Sequence, residues 1–147
     1  MQLPLLDYPL NIKTLEGKPL VFDPIRKAWV VLTPEEHVRQ RLICHFIQAL
    51  HYPAGLIAIE KALMIGGKRR RFDIVVYERN THQPWLLAEC KAPEVPVTDA
   101  TLQQLLHYHS QLQCRYWMMS NGHQHFCADA GNVSAIEWLK ELPAYDL

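Results

Sequence analysis

Three charged residues in the middle of the chain, Asp73, Glu89 and Lys91, have the side-chain types needed for chemistry on a phosphate group. Two carboxylates that lie close together repel each other, and a hard divalent cation such as Mg²⁺ relieves the repulsion while keeping waters for a substrate. Such an ion lowers the pKa of a bound water and stabilises charge on phosphate oxygens. A neighbouring lysine can orient or deprotonate that water, or neutralise the developing charge. The alternative, which the spacing alone favours, is an ion pair of Lys91 with either carboxylate that fixes the strand order.

The register of two predicted strands decides whether these side chains meet. Apolar and β-branched residues predict strands at about 69–78 and 85–91, joined by the turn-rich segment 79–84. In an antiparallel hairpin without a bulge, Asp73 and Glu89 would face each other with Cβ atoms roughly 4.5–5.5 Å apart. Lys91 would share a face with Glu89, and Cys90 would point into the apolar core. A slip of one residue would separate the three charged groups.

The other elements follow from periodicity and capping signals. Thr33 and Pro34 suit the start of a helix that ends near His51, and Glu36 completes a Thr-x-x-Glu capping box. The remaining predictions are an extended segment over 1–19, a hairpin over 20–32, a strand at 56–65 before Gly66-Gly67, a helix at 98–113 capped by Thr98, strands at 115–119 and 123–128 around Asn121-Gly122, and a final helix at 134–141. The order α-β-β-β-α-β-β predicts one α/β (α+β) domain, residues 1–147, with a mixed sheet flanked by helices.

Positive charge is concentrated ahead of Asp73. Residues 26–79 hold ten basic and five acidic residues, although the whole chain holds fifteen of each. Strand alternation would place Arg69 and Arg71, next to Lys68, on the face of Asp73, where they could bind the phosphates of DNA. The alternative, which we weigh equally, is a solvated basic turn with one arginine balancing the acidic pair.

The composition excludes several protein classes. Of the 147 residues, 49% are hydrophobic and 20% are charged, which excludes a disordered chain. No apolar run approaches the roughly 20 residues of a membrane span, and the N-terminus does not resemble a signal peptide, so we expect a cytoplasmic protein. The four cysteines lack metal-binding spacing and are expected to be reduced. The histidine pairs 107/109 and 123/125 offer no evident third ligand, so a structural zinc site is disfavoured.

The residues around these positions resemble a known family. Asp73 followed by Glu89-Cys90-Lys91 is similar to the D…(D/E)xK signature of the PD-(D/E)XK nuclease superfamily, whose core order is also α-β-β-β-α-β. More narrowly, four segments resemble the N-terminal domain of type I restriction enzyme R subunits over about residues 20–130: IRKAWVVLTPEEHVRQ, RRRFDIVVY, LLAECKAP and MMSNG. The resemblance implies a restriction-endonuclease-like fold.

The resemblance also implies roles for individual residues. Asp73 and Glu89 match the metal-binding carboxylates, and Lys91 matches the catalytic lysine. Glu36 matches a helix acid that can reach the metal through water, a role that competes with the capping box, which we favour. Gln104 matches a glutamine in a Q-x-x-x-Y pattern with Tyr108, and the two would lie on one helix face.

The expected function is a Mg²⁺- or Mn²⁺-dependent DNA endonuclease domain that hydrolyses phosphodiester bonds. The alternative is a nucleic-acid-binding or assembly module of the same fold with weak or no catalysis. The sequence contains no G-x-x-x-x-G-K-[ST] phosphate loop and therefore no ATP site, so a motor or a specificity subunit would have to be a separate partner. The sequence does not determine the DNA target or the oligomeric state.

Overall fold

The described part of the chain folds into two β-sheets and two α-helices. This computed structural model describes residues 8–132 and 135–145. The elements are β1 (Ile12–Leu15), β2 (Lys18–Asp23), β3 (Ala28–Val31), α1 (Pro34–Cys44), β4 (Ile57–Ile65), β5 (Lys68–Tyr77), β6 (Pro84–Cys90), α2 (Asp99–His107), β7 (Tyr116–Ser120), β8 (His125–Asp129) and β9 (Glu137–Trp138). A π-helical turn (His45–Ala49) continues α1, and short 3-10 turns lie at Ala54–Leu56 and Tyr108–Ser110.

The topology confirms the predicted mixed sheet. The first three strands form an antiparallel sheet in the order β1-β2-β3, and the other six form a sheet in the order β4-β5-β6-β7-β8-β9. In the larger sheet β6 and β7 are parallel, and every other neighbouring pair is antiparallel. Parallel neighbours need a crossover connection, and α2 lies in the chain between them. The predicted α-β-β-β-α-β core order is therefore present.

Each face of the large sheet carries its own apolar cluster. Val38 and Leu42 of α1 and Phe46 of the π-helical turn pack with Ile74 of β5 and Ala88 of β6 in the first cluster. In the second cluster, the α2 residues Leu102 and Leu105 pack with Val75, Leu87 and Trp117 from the strands. Neighbouring residues of β5 and of β6 thus point to opposite faces, as strand alternation requires. The two helices fix the central strands from both sides.

Helix α1 begins where the capping signal predicts. The Thr33 hydroxyl accepts a hydrogen bond from the Glu36 amide at 3.0 Å, and Pro34 occupies the first helical position. The second half of the predicted capping box is absent, because the amide of Thr33 donates to the carbonyl of Val31 and the Glu36 side chain binds other groups. The favoured capping role of the Glu36 side chain is therefore wrong.

The N-terminal segment contains more strand than predicted. The predicted hairpin over 20–32 is present as β2 and β3, and β1 adds a third paired strand within the segment 1–19, which was predicted to be extended. The predicted segment at 1–7 lies outside the described residues. Val21 and Asp23 are fully buried, so this small sheet packs one face against the rest of the protein.

The β4–β5 hairpin forms an arm, and its tip packs against the segment that follows α2. Gly66 and Gly67 make the predicted turn with φ angles of 56° and 79°, in the left-handed region that glycine adopts easily. A Cβ atom on Gly66 would lie 2.6 Å from Oε1 of Gln111, so the tip packs closely against that side chain.

The arm changes face at the level of Asp73. Ile74 and Phe72 of β5 pair with Ile59 and Lys61 of β4. Asp73 therefore lies at the level of Glu60, whose φ angle is 51°. On either side of this point, Phe72 and Val75 are three residues apart yet pack in the same apolar cluster. Regular alternation would put them on opposite faces. The arm from 68 to 72 is therefore turned relative to the rest of β5.

The C-terminal half differs from prediction at two elements. Thr98 caps α2, with its hydroxyl accepting from the amide of Thr101, but the α-helix ends at His107 rather than near 113. The predicted helix at 134–141 is wrong: Glu137 and Trp138 form β9, which pairs with Asp129 and Ala128 of β8. The backbone of an open sheet edge needs partners, and this segment supplies them to β8.

Cys44, Cys90, Cys114 and Cys127 are free thiols, and Cys90, at 2% exposure, points into the first apolar cluster as predicted. Neither α-helix in the described part of the chain has the length and apolar character that a membrane crossing requires.

Candidate active site

Asp73 and Glu89 lie where β5 and β6 separate. The two strands pair from Val76 opposite Leu86 to Ile74 opposite Ala88, and the same register carried one step further sets Asp73 opposite Glu89. A bulge lies between Val76 and Tyr77, on the turn side, so the condition of no bulge is not met. The predicted pairing of Asp73 with Glu89 is nevertheless correct, because the bulge and the loop together contain the number of residues that this pairing requires.

Two hydrogen bonds donated by backbone amides hold the end of β6, next to the Asp73 carboxylate. The amide of Cys90 donates to Oδ2 of Asp73 at 2.7 Å, so this side chain occupies the place of a strand partner. The amide of Lys91 donates to the carbonyl of Ser120 on β7 at 2.8 Å. The segment that carries Glu89 and Lys91 is therefore held from both sides as the strands diverge.

The Lys91 side chain lies beside Glu89. Its Nζ atom is 4.0 Å from Oε2 of Glu89, and 38% of the side chain is exposed, against 11% for that of Glu89. The structure thus brings together Asp73, Glu89 and Lys91, as the sequence predicts. Burial raises the pKa of Glu89, Asp73 raises it further, and the positive charges of Arg70 and Lys91 oppose the shift.

Asp73 is bound on the α1 side by Arg39. Nη2 of Arg39 donates to Oδ1 of Asp73 at 2.9 Å, and Nη1 donates to Oε1 of Glu36 at 2.7 Å. Only 5% of the Arg39 side chain is exposed. Burial disfavours its charge, but Glu36 and Asp73 outweigh burial and raise the pKa of Arg39. The guanidinium is therefore a fixed link between helix α1 and the strand that carries Asp73.

Glu36 is the centre of a buried polar network rather than a helix cap. Its Oε1 also accepts from Arg26 at 2.8 Å, and its Oε2 accepts from Nε2 of Gln40 at 3.1 Å. Arg26 and Gln40 both bind Asp23 as well, at 2.6 and 3.0 Å. This network connects α1, the β2–β3 turn and, through Arg39, Asp73.

Glu89 is bound from the other side of the sheet by Arg70. Nη2 of Arg70 donates to Oε1 of Glu89 at 2.7 Å. The guanidinium lies 4.4 Å from the ring centre of Tyr108 and 5.6 Å from that of Phe72. The turned arm accounts for this contact, since Arg70 shares a face with Phe72, on the side of the sheet where α2 packs.

Several predicted residues do not join the cluster. Gln104 is exposed on α2, and no hydrogen bond within the described residues links it to the carboxylates, although Tyr108 reaches the site through Arg70. Lys68, Arg69 and Arg71 are exposed on the arm. The prediction that alternation brings Arg69 and Arg71 to the acidic pair is wrong, because the arm turns and presents Arg70 instead. This is the alternative with one balancing arginine.

The sequence reasoning missed Arg39 entirely. Glu36, Arg39 and Gln40 are spaced i, i+3 and i+4, so they form one polar face of a helix whose neighbouring face is apolar. Polar residues at this spacing beside a core stripe were the available signal. Arg70 was visible only as one member of a basic run, and nothing in that run marks it.

The cluster carries more negative than positive charge. Among the described residues, Arg26 and Arg39 make ion pairs with five carboxylates: Asp23, Glu35, Glu36, Glu60 and Asp73. Arg70 and Lys91 pair with Glu89, which leaves the whole group two positive charges short. This deficit favours the binding of an additional cation.

The donor set of the site fits a hard divalent ion. Asp73 and Glu89 offer carboxylate oxygens at one point of the sheet, and Mg²⁺ is commonly held by one or two carboxylates with waters and phosphate oxygens completing its shell. Across residues 8–132 and 135–145, no three His, Cys, Asp or Glu residues are grouped closely enough to hold a metal by themselves. The donors therefore fit Mg²⁺ or Mn²⁺ with an open shell, and not a closed zinc site.

Comparison with known proteins gives the family. A family model described as "Type I restriction enzyme R protein N terminus (HSDR_N)" matches residues 34–143, which span α1 through β9 and include Asp73, Glu89 and Lys91. The chain belongs to this family. No curated protein matches the chain.

A solved structure shares the fold. It is described as a fragment of an HsdR subunit of a type I restriction enzyme from Vibrio vulnificus YJ016. The two chains superpose with a TM-score of 0.53 at 17% sequence identity, over 77% of this chain and 24% of that one. This chain thus corresponds to about a quarter of its structural relative.

Removal of Arg39 tests the buried network. Arg39→Met keeps the aliphatic stem but leaves Glu36 and Asp73 without their shared cation, so we expect a loss of about 3 kcal/mol in the free energy of unfolding. Urea denaturation measures it. Arg71→Met, an exposed arginine of the arm, should change stability by less than about 0.5 kcal/mol. Equal urea midpoints for the two variants would contradict the network.

Proposed function

We propose that the protein is a Mg²⁺-dependent DNA endonuclease domain that hydrolyses phosphodiester bonds. The observation that carries the proposal is the meeting of Asp73, Glu89 and Lys91 where β5 and β6 separate, in a chain that belongs to the R-protein N-terminal family. The charge deficit of the surrounding cluster supports a cation at the same place.

Asp73 and Glu89 would hold the metal. A bound Mg²⁺ or Mn²⁺ would lower the pKa of a water and stabilise charge on the phosphate oxygens. The hydrogen bond from the Cys90 amide and the ion pair with Arg39 orient the Asp73 carboxylate before any ligand arrives. Glu36 has no direct contact with Asp73 in these pairs and acts as a positioning residue through Arg39.

Lys91 would assist the attack of water on the phosphate. Its ammonium is beside Glu89 but more exposed, so it can reach a substrate that lies over the site. A lysine in this position can orient or deprotonate the water, or neutralise the charge that develops on the phosphate. Gln104 stays a prediction for substrate contact from the exposed face of α2.

The basic arm would bind the DNA backbone. Lys68, Arg69 and Arg71 are exposed next to the site. In the described part of the chain, none of these three side chains forms an ion pair with a carboxylate, whereas Arg70 pairs with Glu89. Side chains of this kind bind phosphates without reading sequence. The arm would therefore supply affinity, and target choice would come from elsewhere.

Partners would complete the activity. The structural relative is about four times longer than the region it shares with this chain, and no ATP-binding loop is present in the sequence. We propose that motor and specificity modules act with this domain on DNA. The free thiols support a location in the cytoplasm, where cysteines stay reduced.

One observation favours the alternative of a binding module without catalysis. Both carboxylates are already paired with arginines, Asp73 with Arg39 and Glu89 with Arg70. If these pairs persist in the presence of metal, the site would be electrostatically satisfied and inactive. The experiment below distinguishes the two functions.

Isosteric substitutions test the metal site. With Mg²⁺ or Mn²⁺, the parent protein should nick supercoiled plasmid, and EDTA should stop it. Asp73→Asn and Glu89→Gln should abolish nicking because they remove the charge that holds the ion, and Lys91→Met should slow it by about a hundredfold or more. Glu94→Ala, which removes an exposed carboxylate outside the cluster, should nick like the parent. Melting temperatures show whether each variant is folded.

Nicking by all three site variants at the parent rate would rule out the assigned roles. No nicking by a folded parent protein that still binds DNA would favour the binding module.

Salt dependence tests the arm. If Arg69 and Arg71 each bind a phosphate, replacing both with alanine should flatten the log–log dependence of DNA affinity on salt by up to about two units. Arg79→Ala with Lys140→Ala removes the same charge from exposed positions outside the arm and should leave the slope nearly unchanged. Fluorescence anisotropy with a labelled duplex measures both. Equal slopes for the two double variants would remove the arm from the DNA interface.

A further inference from the structure

Arg70 differs from the other arginine of the site in how it is held. Its guanidinium has one carboxylate partner, Glu89, and otherwise rests on the rings of Tyr108 and Phe72. Its side chain is 34% exposed. Arg39, by contrast, is 5% exposed and is bound by both Glu36 and Asp73.

This difference predicts which ion pair can open. Moving Arg39 would break its pairs with two acidic side chains, Glu36 and Asp73, and Glu36 has only 7% of its side chain exposed. Moving Arg70 would break a single ion pair whose arginine side chain is already 34% exposed, and Lys91 would still lie 4.0 Å from Glu89. Because Arg70 is on an arm that also carries three exposed basic residues, its released guanidinium would remain on the proposed DNA-binding side.

We propose that Arg70 is a displaceable cation, which neutralises Glu89 in the metal-free protein and binds a DNA phosphate once a divalent ion takes Glu89. The inference rests on the proposed function, since it concerns the same metal site. The guanidinium and the metal compete for the oxygens of one carboxylate, so they exclude each other there. Metal binding and DNA binding are then coupled, and each strengthens the other by the same factor.

The first test measures metal affinity without DNA. Isothermal titration with Mn²⁺ should show that Arg70→Met binds the ion about three- to tenfold more tightly than Arg71→Met, because only Arg70 competes for Glu89. Arg71→Met removes the same charge from the neighbouring position and corrects for the general attraction of a less positive protein. A purely structural role for Arg70 would weaken metal binding instead. Equal or weaker affinity in Arg70→Met overturns the proposal.

The second test measures the new DNA contact. In a Lys91→Met background, in which cutting is slow, the salt dependence of duplex binding is compared with and without Mn²⁺. With the ion, Arg70→Met should lower the slope by about 0.9, the value of one phosphate contact. Without it, the slopes should be equal, because Arg70 is then bound to Glu89. The same difference in both conditions, or none in either, overturns the proposal.

The titrations also distinguish this proposal from the proposed metal site on which it rests. If the parent protein does not bind Mn²⁺, or if Asp73→Asn binds it as well as the parent does, the metal site itself is wrong and both proposals are rejected. If the parent binds the ion and nicks DNA while Arg70→Met behaves like Arg71→Met, only the displaceable cation falls.

Discussion

The need to compensate buried carboxylates organises the site. Asp23 is fully buried and Glu36 nearly so, and ionised groups in such places are stable only with paired charges and hydrogen bonds. For Asp23, burial favours the neutral acid, but hydrogen bonds from Arg26, Gln40 and Ile25 outweigh it and lower the pKa. Arg26 and Arg39 are shared among several acids, so no acid of the network can shift independently. The position of Asp73 thus depends on the start of α1 and on the β2–β3 turn.

Asp73 and Glu89, the two proposed metal ligands, differ in how firmly their side chains are held. Asp73 is fixed by a backbone amide and by an arginine that is itself bound twice. Glu89 is fixed by its strand, whose neighbour β7 is parallel and in register, but its charge is balanced from a long arm and from the exposed Lys91. One ligand would therefore be in place before the metal binds, and the other would exchange its partner. This arrangement would keep the metal-free site folded without closing it to the ion.

The sequence was sufficient for the parts of the fold that depend on local signals. Thr33 and Thr98 cap their helices, Gly66-Gly67 makes its turn, and the positions of Asp73 and Glu89 about the intervening turn predicted their pairing. Prediction failed where tertiary contacts decide. Residues 137 and 138 pair with the edge strand β8, which no local periodicity can show. Arg70 rather than Arg69 or Arg71 meets Glu89, because the distortion at Glu60 and Asp73 reverses the faces of the arm.

The Glu36 side chain shows a further limit of local reasoning. A Thr-x-x-Glu pattern is consistent with a capping box, but the free-energy gain of such a surface hydrogen bond is small beside the cost of leaving the buried charge of Arg39 without this carboxylate. Arg26 is ten residues before Glu36 and in a different element, so its contact is not readable from the helix pattern. The helix sequence alone therefore could not choose between the two roles.

The shared metal is the central claim, and anomalous X-ray scattering from a crystal soaked in Mn²⁺ tests it most directly. The proposal predicts one strong peak between Asp73 and Glu89, with at least one oxygen of each carboxylate at about 2.0–2.2 Å, distances expected for an ion of this kind. It also predicts that the guanidinium of Arg70 has left Glu89 while that of Arg39 still binds Asp73. A peak elsewhere, or no peak with both arginine pairs intact at saturating Mn²⁺, would contradict it.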